Sequence, residues 1–167
     1  DYKHRAVAYA NIKQAFGEKL PPKKILAITR AFYQSFGQNF IELFFIPRFD
    51  KKYMDAHLSP VGLENVEKAL ARGKGVIFLS IHAGAWEFSN HICAYLKLPF
   101  VLFVRDQQRY PRLNGLLNSF RTRRGCRIIQ KDNFLRQMVE ALKKNEIIGM
   151  TADQGGKGGV LVDFFGR

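Results

Sequence analysis

The stretch "GVIFLSIHAGAWE", residues 75–87, decides how the fold is interpreted. Its first half is an apolar run typical of a buried strand. Its end leads into a segment that carries Phe88, Ile92 and Leu96 at helical spacing. A strand that runs directly into a helix indicates an α/β unit. The helix is predicted over residues 85–97, and His82 is predicted to lie in the turn between the two elements.

The same alternation continues to the end of the chain. Helical patterns cover residues 111–124 and 133–144. Further strands are predicted at "FVLFV" (100–104), "CRII" (126–129), "IIGM" (147–150) and "GVLVDFF" (159–165). This order predicts an α/β fold with a mostly parallel sheet and flanking helices. In such folds the working site lies at the carboxyl ends of the strands, which is where His82 falls.

The N-terminal part is predicted to be helical. From Pro22 to about Ile46 the chain carries apolar and aromatic residues at near-helical spacing. That apolar face either packs into a core, lies on a membrane surface or lines a lipid groove. A second helix is predicted within residues 59–75, capped by Ser59, with Pro60 in its first turn and glycines at its end.

The chain is predicted to be one domain over residues 1–167, with the N-terminal helical part at 1–72 and the α/β core at 73–167. It starts at Asp1 instead of methionine and stops after "VDFFGR", so we expect a fragment of a longer chain. Two distant cysteines, Cys93 and Cys126, do not form a disulfide framework, and we expect buried reduced thiols. No apolar run approaches the roughly 20 residues that span a bilayer.

His82 and Glu87 are the first candidates for chemistry. In one unbroken helix, five residues rise about 7.5 Å and the two side chains face apart. They meet only if His82 lies in the turn and Glu87 in the first helical turn, with Gly84 supplying backbone freedom. Glu87 would then orient the imidazole, which would act as a general base. Alternatively, His82 is an ordinary turn residue and Glu87 is a first-turn acid favoured by the helix dipole.

The chain is strongly basic, with a formal net charge of +13. Such an excess predicts an anionic partner, such as phosphate, nucleic acid, acidic protein or anionic lipid. Residues 105–131 contain one acidic residue, Asp106, and have a local net charge of +7. The eight basic residues of this segment are Arg105, Arg109, Arg112, Arg121, Arg123, Arg124, Arg127 and Lys131.

Arg105 and Arg121 are the better candidates for contacts with phosphate, because Arg105 directly follows a predicted strand. The other arginines, taken singly, are expected to lie on solvated helix faces. Asp153 and Gln154 follow the strand "IIGM", so they also belong at the carboxyl end of the sheet. Asp153 is predicted to position Arg105 or a substrate.

Several familiar motifs are absent from the sequence. The loop "GGKGG" is not a phosphate-binding P-loop, since Lys157 is followed by glycine instead of serine or threonine. There is no GxSxG elbow and no HExxH zinc helix, so neither a serine nucleophile nor a metal site is predicted. A nucleic-acid module would need stacking aromatic residues within the basic segment, which offers only Tyr110 and Phe120.

Four blocks in this order resemble the bacterial lipid A late acyltransferases, the lauroyl and myristoyl transferases of the lysophospholipid acyltransferase superfamily. The blocks are "HRAVAYANIKQAF", "SIHAGAWE", "VRDQQRYPRLNGLLNSFRTRRG" and "MTADQGGKGGVLVDFFG". The resemblance places the family's H-x4-D/E motif on His82 and Glu87. It assigns substrate and phosphate binding to Arg105, Arg121, Asp153 and Gln154.

The resemblance also implies an acyltransferase fold at the cytoplasmic face of the bacterial inner membrane. The implied reaction moves an acyl group from acyl carrier protein or coenzyme A to a hydroxyl of a lipid A precursor, without a cofactor and without nucleic acid. The chain has Ala83 and Ala85 where family members commonly have "HFGNWE", so it lacks the asparagine amide as a possible hydrogen-bond donor. The alternatives are acylation of another anionic glycolipid or a lysophospholipid, or a non-enzymatic module that binds nucleic acid or anionic lipid.

Overall fold

The computed structural model describes residues 2–104, 109–123, 125–129, 133–154 and 160–166. They divide into two units. The larger unit comprises residues 42–154 and holds the sheet together with the described candidate residues. The smaller unit comprises the described residues up to 41 together with 160–166.

Within the described residues, the sheet has four strands in the order β1-β4-β2-β3, and all neighbouring pairs are parallel. The strands are β1 (Val76–Ser80), β2 (Phe100–Phe103), β3 (Arg127–Ile129) and β4 (Ile147–Thr151). β4, the last strand in the chain, lies between β1 and β2. The predicted parallel α/β class is confirmed, as are these four strands to within one residue at most ends.

Helices cover the two faces of this sheet. The larger unit contains α3 (Lys51–His57), α4 (Leu63–Leu70), α5 (Ser89–Tyr95), α6 (Pro111–Thr122) and α7 (Phe134–Lys143). On one face, Ala141 of α7 is fully buried in a cluster with Val101, Ile129 and Ile148. These strand residues alternate with those of the opposite face, as the pleat of a strand requires.

The opposite face carries a second cluster around Phe100, Cys126 and Ile147. Its partly buried members include Val66 and Leu70 of α4 and Cys93 of α5. Burial raises the pKa of the Cys93 thiol to about 12 and that of Cys126 to about 11. Both thiols are therefore protonated at neutral pH, as expected for inert buried cysteines.

Several predicted elements differ from the structure. The helix predicted over residues 85–97 spans only Ser89–Tyr95 as α5. α4 begins at Leu63, because Gly62 precedes it in a left-handed conformation at φ 78° and its carbonyl accepts from Asn65. Ser59 and Pro60 therefore lie before the helix and do not start it. The predicted strand at 159–165 was wrong for its described part: residues 160–166 form no strand, and the backbone at Phe165 turns to φ 58°.

The smaller unit begins with α1 (Tyr2–Phe16), and α2 (Pro22–Glu42) starts at Pro22 as predicted. α2 ends at Glu42, four residues before the predicted end, and a 3₁₀ segment containing Pro47 follows. Along one face of α2, Ile25 and Thr29 are buried, while the phenylalanines one to four turns further on are about half exposed. Among the described residues, no helix combines the length and apolarity needed to cross a bilayer.

Candidate active site

Strand register brings His82 and Asp153 together. Ser80 at the end of β1 pairs with Thr151 at the end of β4, and each candidate follows its strand end by two residues. The backbone N–H of His82 donates to Asp153 Oδ2 at 2.9 Å, and His82 Nδ1 lies 2.6 Å from Asp153 Oδ1. The two side chains retain 27% and 31% exposure, so the pair stands at the surface of the larger unit and remains accessible.

The carboxylate fixes how the imidazole carries its proton. Burial acts to raise the pKa of Asp153, but hydrogen bonds from the His82 backbone and ring outweigh it, and the pKa is lowered. Asp153 is therefore ionised at neutral pH and can only accept hydrogen bonds. Nδ1 of His82 is then the donor in this contact, and Nε2 is the acceptor of the ring in its neutral form.

The chain between His82 and α5 forms the turn that was predicted from the sequence. Gly84 adopts φ 57°, and a 3₁₀ turn, Trp86–Phe88, precedes α5. The predicted locations are confirmed: His82 lies in the turn and Glu87 lies in the first helical turn. The Trp86 ring meets the His82 ring edge-on, with centroids 5.4 Å apart. Trp86 therefore forms one wall of the site.

Glu87 makes its contacts with Arg121. Arg121 Nε donates to Glu87 Oε2 at 2.9 Å, and Nη2 donates to Oε1 at 2.5 Å, a bidentate pair. The Arg121 and Glu87 side chains are only 12% and 20% exposed. Among the described residues no hydrogen bond joins Glu87 to His82; the histidine bonds Asp153 instead. The orienting contact predicted for Glu87 is thus not made in this structure, and its catalytic role stays a prediction.

Two asparagines that sequence reasoning missed hold Arg121. Asn118 Oδ1 accepts from Arg121 Nη1 at 3.1 Å, one turn earlier on α6. Asn90, 1% exposed on α5, donates from Nδ2 to the Arg121 carbonyl at 2.8 Å. The i,i+3 spacing could have indicated Asn118. Asn90 had no comparable signal, because its partner lies on another helix.

A cavity of about 330 Å³ opens beside these groups. Its polar lining comprises Ser80, His82, Glu87, Ser89, Arg121, Thr151 and Gln154. Its apolar lining includes Phe78, Phe100, Leu102 and Trp86. The volume falls within the roughly 300–1,000 Å³ typical of small-molecule sites. The structure thus brings His82, Glu87, Arg121 and Gln154 to one cavity, with Asp153 bound to His82.

One predicted residue cannot be placed: Arg105 lies outside the described residues, so its phosphate-binding role stays a prediction. Within the part of the chain that the structure describes, no group of three or more His, Cys, Asp or Glu side chains is arranged to hold a metal ion. The described site consists of an imidazole with a carboxylate behind it, next to an ion pair and a partly apolar cavity.

Fold and site together define a parallel α/β protein with a histidine–aspartate pair beside a partly apolar cavity. The family described as bacterial lipid A biosynthesis acyltransferase matches residues 1–167, and the chain belongs to this family. The family predicted from the four sequence blocks is confirmed.

A similar protein from Haemophilus influenzae is described as a lipid A biosynthesis acyltransferase. It is 28% identical over 118 residues, which cover 70% of this chain and 37% of the relative's length. The aligned part thus corresponds to well under half of that relative.

Proposed function

We propose that the protein transfers a fatty acyl group from an acyl thioester to a hydroxyl of a lipid A precursor. The donor would be acyl carrier protein or coenzyme A. The observation that carries this proposal is the His82 ring, held by Asp153 through Nδ1, beside a cavity that is polar at one end and apolar at the other. Membership of the family supplies the class of reaction.

In the proposed reaction, Nε2 of His82 takes the proton of the acceptor hydroxyl, while Asp153 stabilises the imidazolium that forms. The oxygen attacks the thioester carbonyl, and backbone N–H groups at the Trp86–Phe88 turn stabilise the oxyanion. The tetrahedral intermediate then breaks its carbon–sulfur bond. The leaving thiolate takes the proton from His82, which returns the site to its starting state without a covalent enzyme intermediate.

Arg121 and Gln154 are proposed to bind the polar part of a substrate. Arg121 has five N–H donors, of which Glu87 and Asn118 use three, so within the described residues two remain for an anion. Glu87 neutralises most of the guanidinium charge, which makes Arg121 a directional donor more than a source of positive potential. Arg105 is proposed as a second phosphate ligand, on the strength of the family resemblance.

The basic character of the chain supports acidic partners. A net charge of +13 favours association with acyl carrier protein, which presents carboxylates, and with the phosphates of a lipid A precursor. Nucleic acid is not proposed, because Phe120 of the basic segment packs against the buried cluster of Ile46, Phe49 and Met54. That leaves the segment without an interleaved pair of stacking aromatic rings.

A membrane surface is the proposed location, with the protein bound peripherally at the cytoplasmic face of the inner membrane. The supporting observation is the row Phe32, Phe36 and Phe40 on α2, with exposed fractions of 52%, 48% and 48%. Aromatic side chains on an amphipathic helix insert into the interface of a bilayer, and nearby lysines favour anionic lipid.

Co-sedimentation with anionic phospholipid vesicles tests this location. Replacing Phe32 and Phe36 by Ser is expected to reduce the vesicle-bound fraction several-fold, while replacing the exposed Tyr2 on α1 by Ser serves as the control. Equal binding by all three proteins would contradict the proposed surface.

The proposed function is tested by His82→Ala, with His57→Ala as the matched control. His57 is an exposed histidine of the same unit, on α3 and stacked on Tyr53. Acyl transfer from acyl carrier protein and from coenzyme A is followed by mass spectrometry, with a lipid A precursor, another anionic glycolipid and a lysophospholipid as acceptors.

We expect His82→Ala to lose about 10²–10⁴-fold in kcat/KM and His57→Ala to retain activity. Near-full activity of His82→Ala would exclude it as the base. Transfer to the lysophospholipid alone would support the alternative acceptor, and vesicle binding without any turnover would indicate a non-enzymatic lipid-binding module.

A further inference from the structure

The inner end of the cavity is closed by one aromatic ring lying over one glycine. Strand register sets Phe78 of β1, Gly149 of β4 and Leu102 of β2 side by side across the sheet. Phe100, two residues before Leu102 and therefore on the same face, extends its ring over Gly149. A Cβ atom at residue 149 would lie 2.1 Å from Cζ of Phe100, so only glycine allows the ring to occupy this place.

The lining of the cavity changes from polar to apolar between two adjacent rows of the sheet. In the next row toward the carboxyl ends, Ser80 of β1 pairs with Thr151 of β4, and His82 and Asp153 lie beyond them. Two residues along a strand correspond to roughly 7 Å, so the polar reacting end and the apolar end are adjacent rows of the same face. A thioester carbonyl at His82 would therefore have its alkyl chain directed toward Phe78, Leu102 and Phe100.

We propose that the Phe100 ring, seated on Gly149, forms the closed end of the acyl-chain site and sets the chain length that the protein accepts. The inference rests on the proposed function, which it sharpens by naming the residues that select the donor. The ring suits this role because Phe100 is only 7% exposed. It packs in one buried cluster with Cys126, which directly precedes β3, and with Ile147 of β4. Phe78 is 40% exposed and is not held in this way.

The expected size of the effect follows from apolar burial. Each methylene of the acyl chain that is buried in the pocket should raise kcat/KM about fourfold. A further methylene that would collide with the Phe100 ring gives no such increase. Replacing Phe100 by Ala or Leu deepens the site, so acyl chains two carbons longer should gain about fifteenfold relative to the wild-type optimum. Gly149→Ala pushes the ring outward into the cavity, so the preference should move to shorter chains.

Val101→Ala is the matched control. Val101 is the next residue of β2, is 1% exposed and points to the opposite face, where it packs with Ile129, Ala141 and Ile148. Its truncation should destabilise the protein in the manner of a buried large-to-small change and leave the chain-length preference unchanged. It therefore separates a loss of stability from a change of selectivity.

Two readouts are used on each folded variant. The first is kcat/KM for a homologous series of saturated acyl thioesters. The second is the rise in melting temperature with the matching series of unreactive S-alkyl pantetheine thioethers, which requires no turnover. We expect Phe100→Ala and Phe100→Leu to shift both profiles to longer chains, and Gly149→Ala to shift them to shorter ones.

Wild-type profiles in both Phe100 variants, or the same shift in Val101→Ala, would overturn the inference. If the wild-type protein transfers no acyl group but the thioether profile depends on chain length and shifts in Phe100→Ala, the proposed function fails and the chain-length site stands. Normal transfer with unshifted profiles would leave the proposed function in place and remove Phe100 as the determinant.

Discussion

Two ion pairs stand at the carboxyl end of the sheet, and they differ in how the chain brings their partners together. His82 and Asp153 follow two adjacent parallel strands and share a register, although they are 71 residues apart. Arg121 and Glu87 join a helix to a 3₁₀ turn, and their pair is the more deeply buried. The accessible pair can exchange a proton with a substrate, whereas the buried pair is suited to holding the walls of the site.

The difference shows that proximity in sequence is a poor guide to partnership at a strand end. Glu87 is five residues from His82, yet its carboxylate faces α6 and binds a guanidinium. Asp153 reaches His82 because parallel strands present their carboxyl ends at one edge. Exchanging each carboxylate for its amide tests which of the two orients His82 and which one holds Arg121.

The largest effect is expected from Asp153→Asn. The amide can donate to His82 Nδ1, which would place the ring hydrogen on Nε2 and remove the base. We expect a loss of about 10²-fold or more in kcat/KM, together with a changed pH profile of kcat/KM. Glu87→Gln should cause a smaller loss, of about tenfold, through displacement of Arg121, with the wild-type pH profile.

Kinetics of both variants over a range of pH provide the measurement. A changed pH profile in Glu87→Gln, with a wild-type profile in Asp153→Asn, would reverse the two roles and restore Glu87 as the residue that orients His82.

An intermediate effect, on stability, is expected at the Arg121–Glu87 pair. Removing either partner leaves a mostly buried charge with fewer hydrogen bonds, so Glu87→Gln and Arg121→Met should each cost about 2 kcal/mol in the free energy of unfolding. Because the two groups act on each other, the double variant should cost less than the sum.

Urea unfolding gives the three free energies. The exposed i,i+4 pair of Arg136 and Glu140 on α7 is the control cycle, for which we expect a coupling below about 0.5 kcal/mol. Simple additivity at Glu87 and Arg121 would mean that their bidentate contact contributes nothing to folding.

The smallest effect is the pH dependence contributed by Asp153. Its pKa in the folded protein is below the ordinary value of 3.8, so its stabilising contribution is fully present above that value and is lost as pH falls through the lower folded pKa. Because the pair is about one-third exposed, the contribution should be below about 1 kcal/mol.

Urea unfolding of the wild type and Asp153→Asn should therefore differ at neutral pH and converge in acid. Asp163→Asn, which alters an exposed aspartate of residues 160–166, serves as the control and should show no such convergence. A difference that grows as the pH falls would contradict the sign of the shift.

Local patterns predicted the elements well, while the site depended on sheet order. The short apolar runs around Phe78, Phe100 and Ile148 predicted strands because each is bounded by turn residues. The run at 160–165 was equally apolar, but a strand forms only where a neighbouring strand provides hydrogen-bond partners. The composition of the run does not show whether such a neighbour exists. Helix α4 was placed too early because the positive φ of Gly62 is a backbone property that capping patterns do not reveal.

For the site, His82, Asp153 and Gln154 were predicted at the carboxyl end of the sheet, and Glu87 and Arg121 were predicted as further site residues. The pairing of His82 with Asp153 was not predicted, since it depends on β4 lying next to β1, an order that no local pattern encodes.

The central position of β4 also has a consequence for how the protein folds. Among the described strands, β4 fills the gap between β1 and β2, so the His82–Asp153 pair cannot exist in any intermediate that lacks β4. Closing the long loop from His82 to Asp153 has an entropic cost that local contacts do not offset, and parallel pairings of this kind form slowly. The His82–Asp153 pair therefore forms in the same step that inserts β4 into the sheet.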